Sequence, residues 1–125
     1  MDKKFFVPFE TAKLLKEKGY PQGDSDMYYN PNGELFTRTE LDAGYKEEYP
    51  IMIKYYVAAP TYHEVEDWLE GKGIEITSRK VYHFRTEQWE WRGNAKNEEY
   101  SFFELGVTRE AAINAAILHA LEEMI

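Results

Sequence analysis

Apolar and polar positions along the chain follow two periods, and the change between them marks out the elements. Between Pro8 and Pro21, Phe9, Ala12, Leu14 and Leu15 make a partial stripe at helical spacing, with Lys13, Lys16, Glu17 and Lys18 on the other side. Gly19 suits the left-handed residue that ends a helix, and Pro21 blocks continuation, so the spacing predicts a helix over about 9–18. Met27-Tyr28-Tyr29 and Leu35-Phe36 flank Asn30-Pro31-Asn32-Gly33. The Asn-Gly step tolerates the positive φ of a tight turn, which predicts a small hairpin over about 27–37. Residues 37–50 are polar and without period, and read as a long connection free to be mobile. Ile51 to Ala58, rich in Ile, Tyr and Val, reads as extended.

Pro60-Thr61-Tyr62-His63-Glu64 is a helix start. Thr61 and Glu64 have the spacing of a capping box, in which each side chain satisfies an amide of the other's turn. Val65, Trp68 and Leu69 then fall on one face, and Gly71 and Gly73 end the helix. From Ile74 the period drops to 2. Ile74, Ile76, Ser78, Lys80, Tyr82 and Phe84 share one face of a strand, and Trp89 and Trp91 share one face of the next. Gly93 to Asn97 reads as a turn, Glu99 to Leu105 as a third strand, and Gly106 as its end. Thr108 caps a last helix, rich in alanine and carrying Ile113, Ile117, Leu118, Leu121 and Met124. Short connections favour an antiparallel meander. The expected fold is therefore a single α+β domain over 1–125. Its meander over about 74–105 is covered by helices over about 61–71 and 108–124, with the N-terminal helix and small hairpin added.

Three stretches carry a resemblance. Phe9-Glu10-Thr11-Ala12-Lys13-Leu14-Leu15-Lys16-Glu17-Lys18-Gly19-Tyr20 resembles the opening of small uncharacterised proteins carried by phages and mobile elements of Bacteroides-type bacteria. So does Ala59-Pro60-Thr61-Tyr62 followed by Val65, Trp68 and Leu69, and so does Thr108-Arg109-Glu110-Ala111-Ala112-Ile113-Asn114-Ala115-Ala116. The resemblance implies a mobile-element origin. It implies no activity and no functional residues.

Charge narrows the partners. The 125 residues hold 15 basic and 23 acidic side chains, for a net charge of −8. Binding to a nucleic-acid backbone depends on Lys and Arg neutralising phosphates, and no basic run exceeds Lys3-Lys4, so such binding is not expected. No stretch approaches the ~20 apolar residues of a membrane span, and the apolar run after Lys4 is broken by Pro8. A cytoplasmic protein with no membrane partner is the expectation. Cysteine is absent, which removes disulfides and thiolate zinc sites.

Candidate chemistry is thin. His63 and Asp67 stand four apart on one helix face with Glu66 and Glu70 nearby, but a metal needs three or four convergent donors, and a solvated acidic face is the plainer account. No Gly-x-Ser-x-Gly elbow and no phosphate-binding loop occurs. The expectation is a non-enzymatic chain with no catalytic residues, no bound metal and no cofactor. The 20 aromatic side chains are the distinctive feature. Trp89, Trp91 and Tyr82 form the candidate binding surface: they are core if helices cover that face, and a docking or stacking platform if they do not. The first reading is a protein that binds a protein partner or itself, as a homodimer. A small-ligand or carbohydrate binder using the same rings is the alternative. A metal-dependent enzyme around His63 and Asp67 is the second alternative.

Overall fold

The computed structural model describes residues 3–23, 25–40 and 55–125. The fold is α+β, with helices and two antiparallel three-stranded sheets. Contacts gather the chain into two compact units, one of residues 6–61 and one of residues 1–5 with 62–125.

In the first unit, helix α1 (Phe9–Glu17) follows Pro8 and buries Thr11, Ala12 and Leu15. It ends as the sequence predicts. Gly19 takes φ +95°, and the Tyr20 amide donates back to the Leu15 carbonyl at 2.9 Å. Strands β1 (Met27–Tyr29) and β2 (Leu35–Thr37) form the expected hairpin, with Tyr28 opposite Phe36. At its turn the Asn30 side-chain oxygen accepts from the amides of Asn32 and Glu34, while Gly33 has φ +82°. The hairpin does not stand alone: β3 (Val57–Ala58) pairs with the other side of β1, giving the order β2-β1-β3. Tyr28, Tyr56 and Ala58 form a buried cluster with Phe36 packed against it.

Two readings of this unit change. Residues 38–40, assigned above to an irregular connection, begin a helical turn. Thr37 Oγ1 accepts from the Glu40 amide at 3.1 Å, and Glu40 Oε1 accepts from the Thr37 amide at 3.4 Å, which is a capping box. Extended structure in the stretch 51–58 is confined, among the described residues, to Val57–Ala58. The readings that fall on 41–54 lie outside the described residues.

The second unit is the meander with its helices. Helix α2 (Tyr62–Glu70) buries Val65 and Leu69. Trp68, expected on that face, is only half-buried, with the Lys72 ammonium 4.8 Å from its ring centre. Strands β4 (Glu75–His83), β5 (Gln88–Lys96) and β6 (Ser101–Gly106) pair in sequence order. Helix α3 (Arg109–Glu123) lies on all three strands and against α2. Its Thr108 cap accepts from the Ala111 amide at 3.0 Å. The helix buries Ala112, Ile113, Ala116, Ile117, Ala120 and Leu121.

Gly93 is not in a turn. Strand β5 continues through it to Lys96, and the chain reverses over residues 97–100, where Asn97 accepts from the amides of Glu99 and Tyr100. The glycine is there for the helix. A Cβ at Gly93 would overlap the Ala112 carbonyl oxygen, and one at Gly106 would come within 2.6 Å of the Ala112 amide nitrogen. Backbone of α3 therefore rests directly on backbone of the sheet, which only glycine allows.

Candidate binding surface at the hairpin end

The β4–β5 hairpin is longer than what covers it. Each strand has nine residues, paired without interruption from Glu75↔Lys96 to His83↔Gln88. Strand β6 pairs with β5 only from Lys96 back to Trp91. Gly106 ends β6 opposite Trp91, and Thr108 already caps α3 two residues later. The covering helix thus starts near the middle of the sheet, over Gly93 and Gly106, where Arg109 Nε donates to Ser78 Oγ at 3.3 Å. Beyond that level the hairpin is a two-stranded ribbon.

The ribbon carries the aromatic residues singled out from the sequence. Tyr82 lies directly opposite Trp89, and Lys80 opposite Trp91. The two tryptophans, expected to share one environment, are separated: Trp91 is half-buried beside the glycine seat, whereas Trp89 is 61% exposed. The alternation puts both on one face, but the start of α3 falls between the part it shelters and the part it leaves open. Phe84 is 85% exposed and joins the cluster. Its ring meets Tyr82 edge-on at 5.3 Å and 88°, and Tyr82 meets Trp89 at 5.3 Å and 58°. The Lys80 ammonium stands 5.8 Å from the Trp89 ring centre. The turn at 84–87 holds Glu87 at φ 56°, an unusual conformation for a residue with a Cβ.

The outer half of the β4–β5 hairpin also carries an excess of basic side chains in an acidic protein. Arg79, Lys80, Arg85 and Arg92 outnumber Glu87 and Glu90 between positions 79 and 92. Pairing sets Arg79 opposite Arg92, on the face away from α3, where the Arg92 guanidinium lies 4.0 Å over the Phe103 ring. In the sequence only Arg79 and Lys80 stand together, and the hairpin register adds Arg92 to them.

A second feature lies at the other end of β4. His63, Glu66, Asp67 and Glu70 of α2 and the stretch Gly73 to Thr77 line an open groove of about 500 Å³. His63 Nε2 is 3.6 Å from Asp67 Oδ2, and its Nδ1 is 4.0 Å from Glu66 Oε2. Burial pushes the Glu66 carboxyl above its ordinary range. The charges of His63 and Arg109 pull it back in part, and Asp67 adds to the rise. Among the described residues no group of three or more His, Asp or Glu side chains is arranged to hold a metal. The three histidines have separate surroundings. His119 Nδ1 is 3.3 Å from Glu104 Oε1 with its ring against Phe102, and His83 pairs across the hairpin with Gln88.

Comparison with protein-family models, with curated proteins and with solved structures finds no match to this chain. No helix among the described residues is long and apolar enough to cross a membrane.

Proposed function

We propose that the protein is a non-enzymatic binding protein that docks a protein partner through the aromatic end of the β4–β5 hairpin. The observation that carries this reading is the uncovered cluster of Tyr82, Phe84 and Trp89. Rings of this kind bury ~150–250 Å² each, so the cluster offers roughly 300–400 Å² of apolar surface, as much as the largest functional patch on many monomers. The rings pack edge-to-face on one another. That favours insertion as one apolar knob into a protein groove over the parallel stacking that bases and sugars use. The resemblance of residues 9–20, 59–69 and 108–116 to proteins of phages and mobile elements supports such an origin, and with it a cytoplasmic place.

The test is capture from cell lysate with the wild-type chain and with Phe84→Ser/Trp89→Ala, both confirmed as folded by circular dichroism. A partner held by the wild type and released by the double variant is the expected result. Equal retention by the two would refute the reading.

A further inference from the structure

We propose that two copies of the chain pair edge to edge through β4, about a two-fold axis at Thr77, so that Arg79 and Lys80 of each copy run along the acidic groove of the other. This deepens the binding reading by naming one partner, and it uses the strand edge rather than the ring cluster.

Strand β4 is an edge. It pairs with β5 on one side, and among the described residues no strand pairs with its other side. Nine residues give an edge of about 30 Å, long for an unprotected row of amides and carbonyls. The two halves of that edge differ in character. The first half, Ile74 to Thr77, is the wall of the groove that carries Glu66, Asp67, Glu70 and Glu75. The second half, Arg79 to His83, belongs to the outer half of the hairpin with Arg79, Lys80 and Arg85, and Arg79 and Lys80 are exposed. An antiparallel partner strand has to match acid to base.

A second copy does so by symmetry. A two-fold axis through Thr77 turns β4 antiparallel to itself, setting Glu75 of one copy opposite Arg79 of the other and Ile74 opposite Lys80, twice over. Glu75 of each copy then faces Arg79 of the other on the side away from α3, and Lys80 lies on the side of Glu66 and Glu70 of α2. The axis cannot pass through Arg79 or Lys80, because each would then sit across from its own copy, and like charges directly opposite are destabilising. At Thr77 the residue on the axis is small and neutral, whereas an axis at Ser78 would set Glu75 opposite Val81. The result is a continuous six-stranded sheet in which no copy leaves a β4 edge open, and the assembly closes at two.

Sedimentation velocity across a concentration series tests this, with hydrogen exchange at β4 amides as a second readout. The wild type is expected to form a dimer that weakens with salt, and its amides in 75–83 to exchange more slowly as concentration rises. Two charge-reversed variants decide the geometry: Arg79→Glu/Lys80→Glu in the hairpin and Glu66→Lys/Glu70→Lys in the groove. Each alone should weaken its dimer at least about tenfold in Kd. Mixed in equal amounts they should form a heterodimer, since both contacts are then complementary again. A wild type that stays monomeric to about 100 µM, or variants whose mixing restores nothing, would overturn the pairing. A monomer that still captures a partner through Phe84 and Trp89 would sink the dimer while leaving the binding reading standing.

Discussion

Gly93→Ala tests the packing on which the hairpin's exposed end depends. The added Cβ would lie 2.6 Å from the Ala112 carbonyl carbon and 3.2 Å from the Ala116 Cβ, besides overlapping the Ala112 oxygen. Carbon atoms in good contact sit at about 3.5–4.0 Å, so the helix must lift by roughly 1 Å. Neither wall can yield by rotating a side chain, because the obstacle is the backbone of α3. A gap of that size forfeits about a quarter to a half of the contact energy of the atoms that face it. Ile113 and Ile117 are buried in the same two turns and stand to lose about 0.5–1 kcal/mol each, with smaller losses at Ala112 and Ala116. Alanine stiffens the unfolded chain and returns about 0.5–1 kcal/mol. The net expectation is a loss of about 1–2 kcal/mol, within the range of overpacking substitutions.

Urea unfolding followed by tryptophan fluorescence is the suitable assay. Trp68, Trp89 and Trp91 all belong to the unit that contains α3, so the signal reports that unit. Gly71→Ala serves as the control, because its Cβ would meet the carbonyl oxygens of Trp68 and Asp67 at an ordinary 3.4 and 3.8 Å. Gly106→Ala should resemble Gly93→Ala, and the double variant should lose less than the two separately, since one displacement of α3 relieves both clashes. A Gly93→Ala protein within about 0.5 kcal/mol of wild type would refute the direct seating of helix on sheet.

Three further outcomes are expected. Burial raises the Glu66 carboxyl, so its charged form is disfavoured in the fold and stability falls as pH rises from the ordinary value of 4.5 through the raised one. Glu66→Gln should therefore be more stable than wild type in urea at neutral pH, with the advantage gone below about pH 4. Tyr29→Phe removes a buried hydroxyl that donates to the Val7 carbonyl at 2.7 Å, and should cost about 1–2 kcal/mol in thermal unfolding followed by circular dichroism. Glu87→Gly relieves a left-handed residue at φ 56° and should gain about 0.5 kcal/mol after the entropy of glycine is subtracted; a loss in the melting temperature would contradict the strain.

Most elements of the fold were legible because their signals are local. The change from 3.6 to 2 at Ile74, the cap at Thr108 and the left-handed Gly19 each act within a turn of chain, and each stands where it was expected. What local signals missed depended on distant partners or on competing uses of one residue. Gly93 and Asn94 have turn chemistry, yet the helix needs Gly93 for its backbone, so the strand runs on. Pairing of β3 with β1 joins positions some thirty residues apart, and no spacing announces it. The Thr37–Glu40 box had the same pattern as Thr61–Glu64 and was masked by the lack of an apolar stripe behind it. At the candidate surface, the alternation identified Tyr82, Trp89 and Trp91 as one face. The basic side chains that accompany them came together as a patch only once the register set Arg79 opposite Arg92 and Lys80 opposite Trp91.

The exposure of the ribbon follows from connectivity rather than from any property of its rings. Strand β6 is six residues long and stops opposite Trp91, and only Val107 separates Gly106 from the Thr108 cap. A helix launched that soon cannot reach back over Tyr82 and Trp89, and the glycine pair fixes its height and its starting point. Extending β6 by two residues would carry the sheet further under the rings but would also shift α3 off Gly93. The same glycines that seat the helix therefore leave the aromatic end uncovered. An isolated two-stranded ribbon is marginal in water, so its rings and its open β4 edge both gain from a second surface, and the charges on either side of that edge decide which surface fits.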